Sequence, residues 1–291
     1  MDATQLGGPI VLFLLMSIVG LELTFDDFRR VAKKPAAVVG GTAAQIVLLP
    51  LMTWAVVWAF DLAPIFGAGA VLVAVSPGAG MSNVLVAIAR ANVALSVSLT
   101  AFASVLAVVT LPAIASLGMT LFLDDPGEVE IPIVGLILQL FFMLLAPISL
   151  GMTIRSRRPD LADRIGPPLR RVTMIVVVLV LTLGTPFAEE VQMEGVGDPM
   201  AFLAAAVWTL AAMGIGWSTA RVLGLDPDDR FTFLIEFSAR NIAVSAIVAL
   251  SGLARLDLTL FSVVYMSVGY PLAVVASVLR RRLGPTGSDR A

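Results

Sequence analysis

The 291-residue chain is 58% hydrophobic and 14% charged, with a formal net charge of −2 and neither Cys nor His. Soluble domains run at about 45–50% apolar and about 25% charged, so the composition is that of a membrane protein. Without Cys or His there is no disulfide, thiol or imidazole chemistry and no zinc, haem or iron–sulfur site, and no basic run interleaved with aromatics points to nucleic acid.

Crossing a bilayer takes about 20 apolar helical residues, and the sequence offers nine such stretches. The apolar runs are continuous, which favours helices over a barrel of alternating strands. The first, Leu6–Leu23, has only Asp2 ahead of it and a basic cluster behind, and reads as a spanning helix rather than a cleavable leader. Pro35–Phe60 carries Gln45 in its middle. Leu62–Ala89 contains Ser76-Pro77-Gly78-Ala79-Gly80-Met81-Ser82-Asn83 in mid-span. Proline removes an amide donor, and the glycines lower helix propensity, so this stretch is predicted to break there.

Ala91–Leu123 is over-long and is predicted to end near Leu117. Its Ser96 and Thr100 are four apart and share a face. Ser98 and Ser104 are expected to bond back to carbonyls one turn earlier. Ile131–Ile154 follows, then a polar segment, Arg155–Arg171, read as a short loop, then Val172–Ala188 and Pro199–Ala220.

Phe231–Ala254 holds the most informative pair, Glu236 and Arg240. An ionisable group at membrane depth costs at least ~2.5–3.5 kcal/mol on insertion scales, so it is kept for pairing or for function. The cluster Glu236-Phe237-Ser238-Ala239-Arg240-Asn241 is predicted to be a second break. Leu258–Leu279 is the last stretch, and the tail beyond Arg282 is expected to be disordered.

Drawn as nine crossings, the chain places Arg29, Arg30, Lys33, Lys34, Arg90, the arginines of 155–171, Arg221, Arg230 and Arg280–Arg282 on one side. The other side has Arg255 and is otherwise acidic (Asp124, Asp125, Glu128, Glu130, Glu189, Glu190, Glu194, Asp198). The positive-inside rule then puts the N-terminus outside and the C-terminus in the cytoplasm, in the inner (plasma) membrane. The two broken stretches run antiparallel, the pattern of an inverted repeat with a site at the midplane. Hydroxyls, an amide oxygen, freed carbonyls and one carboxylate form an oxygen set suited to an alkali cation.

The run Ser76-Pro77-Gly78-Ala79-Gly80-Met81-Ser82-Asn83-Val84, with Ala89-Arg90-Ala91-Asn92-Val93-Ala94-Leu95-Ser96-Val97-Ser98-Leu99-Thr100, resembles the bile acid:sodium symporter family. So does the opening Gly20-Leu21-Glu22-Leu23-Thr24 with Asp27-Phe28-Arg29-Arg30 and Lys34-Pro35. The resemblance covers nearly the whole chain, more specifically in the first half. It implies an all-α polytopic secondary transporter of the nine-helix kind. Two broken helices would cross in a core domain (35–123 and 199–282), facing a panel domain (6–23 and 131–188).

By resemblance, one sodium ion would lie against Ser82, Asn83, Ser96, Thr100 and Glu236. A second would use Gln45, Glu236, the carbonyls of Phe237 and Ala239, and a glutamine. Arg240 stands at that glutamine position. Guanidinium has no acceptor and stays charged, so it cannot coordinate a cation. Three readings follow: Arg240 fills or repels the second ion position, binds a substrate carboxylate bidentately, or pairs with Glu236 in place of sodium. Substrate is expected beside the crossing, among Pro77, Gly78, Asn83, Asn241, Tyr265 and Arg240.

The family often has His and Asn where Tyr265 and Met266 stand, so a small or medium organic anion is as well suited as a steroid. The expected partners are that anion, sodium and the lipid bilayer, with no protein or nucleic acid implied. A sodium-independent uniporter or exchanger with a Glu236–Arg240 pair is the alternative. A non-transporting sensor is a further one. An enzyme is disfavoured, since no set of nucleophile and base is visible.

Overall fold

A computed structural model of the chain describes residues 10, 13–14, 16–21, 23–24, 35–122, 132–183, 198–253 and 255–283. Glu22, residues 25–34, the acidic residues 124–130 and 189–194, and the tail from 284 lie outside the described residues, as do parts of the first and sixth apolar stretches. Regular structure among the described residues is helical throughout. Residues 16–21 are helical. They are followed by α1 (Pro35–Ala59), α2 (Pro64–Val75), α3 (Gly80–Ile88), α4 (Val93–Phe122) and α5 (Ile133–Arg157, with a π-turn at Phe141–Leu145). Then come α6 (Pro159–Leu183), α7 (Pro199–Val222), α8 (Pro227–Ser238), α9 (Ile242–Ile247, running into a π-turn at Val248–Gly252) and α10 (Leu260–Leu283).

Helices over Pro35–Ala59, Val93–Phe122, Ile133–Arg157, Pro199–Val222 and Asp257–Leu283 are long and apolar enough to cross a membrane. Their outward side chains include Val47, Leu51, Val109, Leu121, Val134 and Leu138. Apolar exposure on that scale suits lipid rather than water.

Three boundaries differ from the sequence reading. α4 runs on to Phe122, past Leu117, because the turn beyond is packed: Met119 is buried, and a side chain at Gly118 would meet Val71 Cγ1 at 2.7 Å. The segment read as a loop, 155–171, is mostly helix. Asp160, Asp163, Arg164 and Arg171 face outward from α6, whose first residue is Pro159 and whose first turn holds Asp160, both good helix starters. Arg155 and Asp163 pair across the α5–α6 turn at 2.7 Å. α8 starts at Pro227, four residues early, because the Asp226 carboxylate accepts from the Asp229 N–H and caps it.

Two apolar clusters flank α2. One joins α1, α2, α7, α8 and α10 through Leu49, Phe66, Trp208, Phe233, Phe237 and Phe261. The other joins α2 and α4 to α5 and the α9 π-turn through Leu72, Leu111, Leu136, Leu140 and Val248. Close backbone approaches fix the geometry. A Cβ at Gly216 of α7 would lie 2.5 Å from the Phe233 carbonyl of α8, and one at Gly151 of α5 would lie 2.6 Å from the Ser17 carbonyl. Interfaces of small residues are how helices pack closely in membranes.

Candidate functional site

α2 and α3 are separated by Ser76-Pro77-Gly78-Ala79, with Ser76 extended at φ −62°, ψ 145° and Ala79 extended at φ −96°, ψ 156°. α8 and α9 are separated by Ala239-Arg240-Asn241, and Asn241 Oδ1 caps α9 by accepting from the Val244 N–H at 3.2 Å. The two extended segments cross. Gly78 and Arg240 form an antiparallel bridge. Ala79 N–H donates to the Ala239 carbonyl at 3.3 Å, and Asn241 N–H donates to the Pro77 carbonyl at 3.0 Å. Each break thus satisfies backbone groups that the other has freed, a condition for irregular backbone within a bilayer.

On one side of the bridge lies the Glu236 carboxylate. Its Oε1 accepts from Ser82 Oγ at 2.5 Å and from Ser96 Oγ, and its Oε2 accepts from Thr100 Oγ1 at 3.0 Å. Ser82 Oγ also lies 2.6 Å from the Ala79 carbonyl, and Ser96 Oγ lies 2.7 Å from Asn83 Oδ1. Ser82, Ser96 and Glu236 are fully buried and Thr100 nearly so. A serine hydroxyl has one hydrogen to give. Ser82 and Ser96 each face two oxygens at hydrogen-bond distance, Glu236 Oε1 being common to both, and the Ala79 carbonyl also accepts from the Ser82 N–H at 2.9 Å. A buried carboxylate ringed by hydroxyl, amide and carbonyl oxygens is a set of oxygens that suits a hard cation. The residues come from α3, α4 and α8.

Arg240 lies on the other side. Nη1 donates to Gln45 Oε1 at 3.0 Å and to the Glu236 carbonyl at 3.1 Å. Nη2 donates to the Ala74 carbonyl at 3.3 Å and to the Ser76 carbonyl. The guanidinium is therefore caged by oxygens from α1, α2, the first break and α8. Nη1 reaches the carbonyl of Glu236 rather than its carboxylate. The four-residue spacing allowed an intrahelical pair, but the helix ends at Ser238, and Ala239 at φ −100°, ψ 83° turns residue 240 out of the helical register. Both Nη groups serve the protein's own oxygens, which also removes the bidentate seat considered for a substrate carboxylate. Gln45 joins this cage and stands apart from the Glu236 cluster.

Tyr265 was placed with the substrate by the sequence reading. It is fully buried behind the crossing, edge-on to Trp208 at 5.3 Å. Its hydroxyl accepts from Arg240 N–H at 3.0 Å and donates to the Ser238 carbonyl. The sequence reading missed Tyr270, whose hydroxyl donates to the Arg240 carbonyl at 2.6 Å. The signal was available, since a tyrosine hydroxyl within an apolar helix needs a partner. Tyr265→Phe is expected to leave the Arg240 N–H and the Ser238 carbonyl unmatched, at about 1–3 kcal/mol each. Thermal denaturation in detergent checks this, and a variant that melts with the wild type would show the hydroxyl to be idle.

Other expected positions resolve simply. Ser98 Oγ donates to the Ala94 carbonyl at 2.8 Å and Ser104 Oγ to the Thr100 carbonyl at 2.7 Å, as back-bonded hydroxyls. Pro77 and Gly78 lie in the first break, and a Cβ on Gly78 would sit 2.6 Å from Glu236 Oε2 and 2.9 Å from Thr100 Oγ1. Asn92, between α3 and α4, donates from Nδ2 to Asp229 at 2.6 Å and from its N–H to Thr232 Oγ1 at 3.1 Å, tying that turn to α8.

Fold and site define a helical, multi-pass membrane protein in which two interrupted helices cross beside a buried carboxylate and a buried guanidinium. The chain belongs to the sodium bile acid symporter family, whose family model matches residues 9–194. That family is one of transporters. The chain is 26% identical over 294 residues to the uncharacterized sodium-dependent transporter YocS of Bacillus subtilis, covering 98% of this chain and 89% of the relative. It is 28% identical over 240 residues to the probable chloroplastic sodium/metabolite cotransporter BASS2 of rice, covering 81% of this chain and 54% of that protein. It is 26% identical over 216 residues to the human ileal sodium/bile acid cotransporter, covering 74% and 61%. The chain thus spans about half the length of the rice relative.

Proposed function

We propose that the chain is a secondary active transporter that imports an organic anion together with sodium by alternating access. The observation that carries the reading is the pool of oxygens around the buried Glu236 carboxylate, with the hydroxyls of Ser82, Ser96 and Thr100 on it and Asn83 Oδ1 beside Ser96. Sodium would lie against Ser82, Asn83, Ser96, Thr100 and Glu236, with the Ala79 carbonyl beside them. An ion there draws α3, α4 and α8 together. It biases the protein toward a substrate-ready state only by as much as it binds that state better. Arg240 holds the second oxygen set, including Gln45, so one sodium ion moves per cycle.

The substrate would sit beside the crossing, near Pro77, Gly78, Asn83 and Asn241. Residues 35–123 and 199–282 would form the core, moving against a panel of 6–23 and 131–188. The apolar seam that joins α5 to α2, α4 and the α9 π-turn supports this division. The antiparallel meeting of the two breaks supports an inverted repeat within nine crossings. The distribution of Lys and Arg supports an inner-membrane topology with the N-terminus outside and the C-terminus in the cytoplasm.

In a sodium-independent exchanger Arg240 would take the Glu236 carboxylate oxygens in place of a cation. The guanidinium instead donates to carbonyls, which leaves the carboxylate among hydroxyls. The test is a thermal melt of the purified protein in sodium against potassium at equal ionic strength. Binding to the folded state raises the melting temperature with occupancy, so sodium alone is expected to raise it. A melt indifferent to the exchange of cations sinks the reading.

A further inference from the structure

Among the described residues the fully or nearly buried charged side chains are Asp229, Glu236 and Arg240, and Asp229 has no part in the site assembled so far. It stands in the first turn of α8. Asp229, Thr232 and Glu236 follow at spacings of three and four, so they share one face of the helix. Across from them, Asn92, Ser96 and Thr100 follow at spacings of four. Asn92 caps α4: its Oδ1 accepts from the Leu95 N–H at 3.1 Å, and its carbonyl accepts from the Ser96 N–H at 3.1 Å.

The two rows meet rung by rung, with α4 and its cap supplying the hydrogens and α8 the oxygens. Asn92 Nδ2 donates to Asp229 Oδ1 at 2.6 Å, and Asn92 N–H donates to Thr232 Oγ1 at 3.1 Å. Thr232 can accept there because its own hydrogen reaches the Asp228 carbonyl at 2.9 Å. Further along, the Ser96 and Thr100 hydroxyls donate to the Glu236 carboxylate. Leu99 and Phe233, from the same two helices, lie in one apolar cluster. Apolar burial has no direction, so it leaves one helix free to slide along the other. The polar rungs fix the register.

A cation that takes the lone pairs around Glu236 draws the Ser96 and Thr100 oxygens into its own shell. The rung at Asp229 is seven residues away, about 10 Å along α8, and shares no oxygen with that shell. We propose that Asn92 and Asp229 are positioning residues: their bond presets the separation and register of α4 and α8, so that Ser96, Thr100 and Glu236 converge before sodium arrives. This rests on the sodium reading above. Neither residue touches the ion. Outer partners that orient metal ligands are commonly worth about 10–100-fold in affinity, and a link one turn removed from the ligands belongs at the lower end.

The test is the half-saturating sodium concentration, read from melts of the full-length protein across a sodium titration at constant ionic strength. Asn92→Asp keeps an oxygen for the Leu95 N–H but sets two carboxylates against each other, and it is expected to raise that concentration about tenfold. An added negative charge by itself attracts sodium, so a loss of affinity reports geometry and not charge. Exchanging the pair, Asn92→Asp with Asp229→Asn, restores a donor facing an acceptor and the original net charge. The exchanged pair is expected to return the concentration to the wild-type value. If Asn92→Asp does not fold, Asn92→Ser, which still caps α4 but is too short to reach Asp229, is expected to weaken sodium binding in the same direction.

Variants that melt lower in potassium yet keep the wild-type sodium concentration would show a brace for the fold alone, and overturn the proposal. So would an exchanged pair that binds sodium as weakly as the single variant. A wild-type protein whose melt ignores sodium overturns the function on which the proposal rests, a separate outcome that needs no variant.

Discussion

Glu236→Gln is expected to abolish the sodium response. The substitution keeps one oxygen of the two and replaces the other with an amide carrying two hydrogens, aimed at hydroxyls that already bring hydrogens of their own. It also removes the negative charge. Two unit charges about 4 Å apart attract by about 4 kcal/mol at an effective dielectric near 20, and each 1.4 kcal/mol is about tenfold in affinity. A fall in sodium affinity on the order of 10² to 10³-fold follows, read as radioactive sodium binding or as loss of the sodium-dependent melt. The variant also leaves Arg240 as an unbalanced buried charge, so its melting temperature in potassium should fall as well. Retention of near-native sodium affinity would remove Glu236 from the site.

The second expected result concerns a single methyl group. Gly78→Ala is expected to eliminate the sodium response while leaving a folded protein. The φ of Gly78 is not among the positive values of the chain, so alanine can adopt its backbone conformation without strain. The obstacle is space: the new Cβ would lie 2.6 Å from Glu236 Oε2 and 2.9 Å from Thr100 Oγ1. Both belong to the proposed ion site, and neither can retreat without disturbing the hydrogen bond between them. Gly80→Ala is the control. Its Cβ would meet Val19 Cγ2 at 3.5 Å, an ordinary contact, and it should bind sodium like the wild type. If both variants bind sodium equally, the gap beside Gly78 is not where the ion sits.

Much of this arrangement could be read before any coordinates were at hand. Pro77 followed by Gly78 and Gly80, and polar residues closing each interruption, placed both breaks within a turn of where the helices stop. The spacing of Ser96 and Thr100 put both on one face, and both reach Glu236. What could not be read was direction. The spacing of Glu236 and Arg240 suggests a pair, and only the turn at Ala239 sends the guanidinium to the carbonyls of Ala74 and Ser76 instead. Backbone carbonyls have no letter in a sequence, so a cage built mostly from them is invisible there. The extent of α6 was missed for a related reason. A charged segment with three prolines reads as a loop, although Pro159 and Asp160 favour a helix start.

The chain has two tyrosines, and both end on the backbone of residue 240. Nature has in effect labelled the crossing. Protein grown with ring-labelled tyrosine has a two-line spectrum, one line from the phenol on the Arg240 N–H and one from the phenol on its carbonyl, with no other phenol to obscure it. Any rearrangement at that point can be watched directly, in lipid, without attaching a probe.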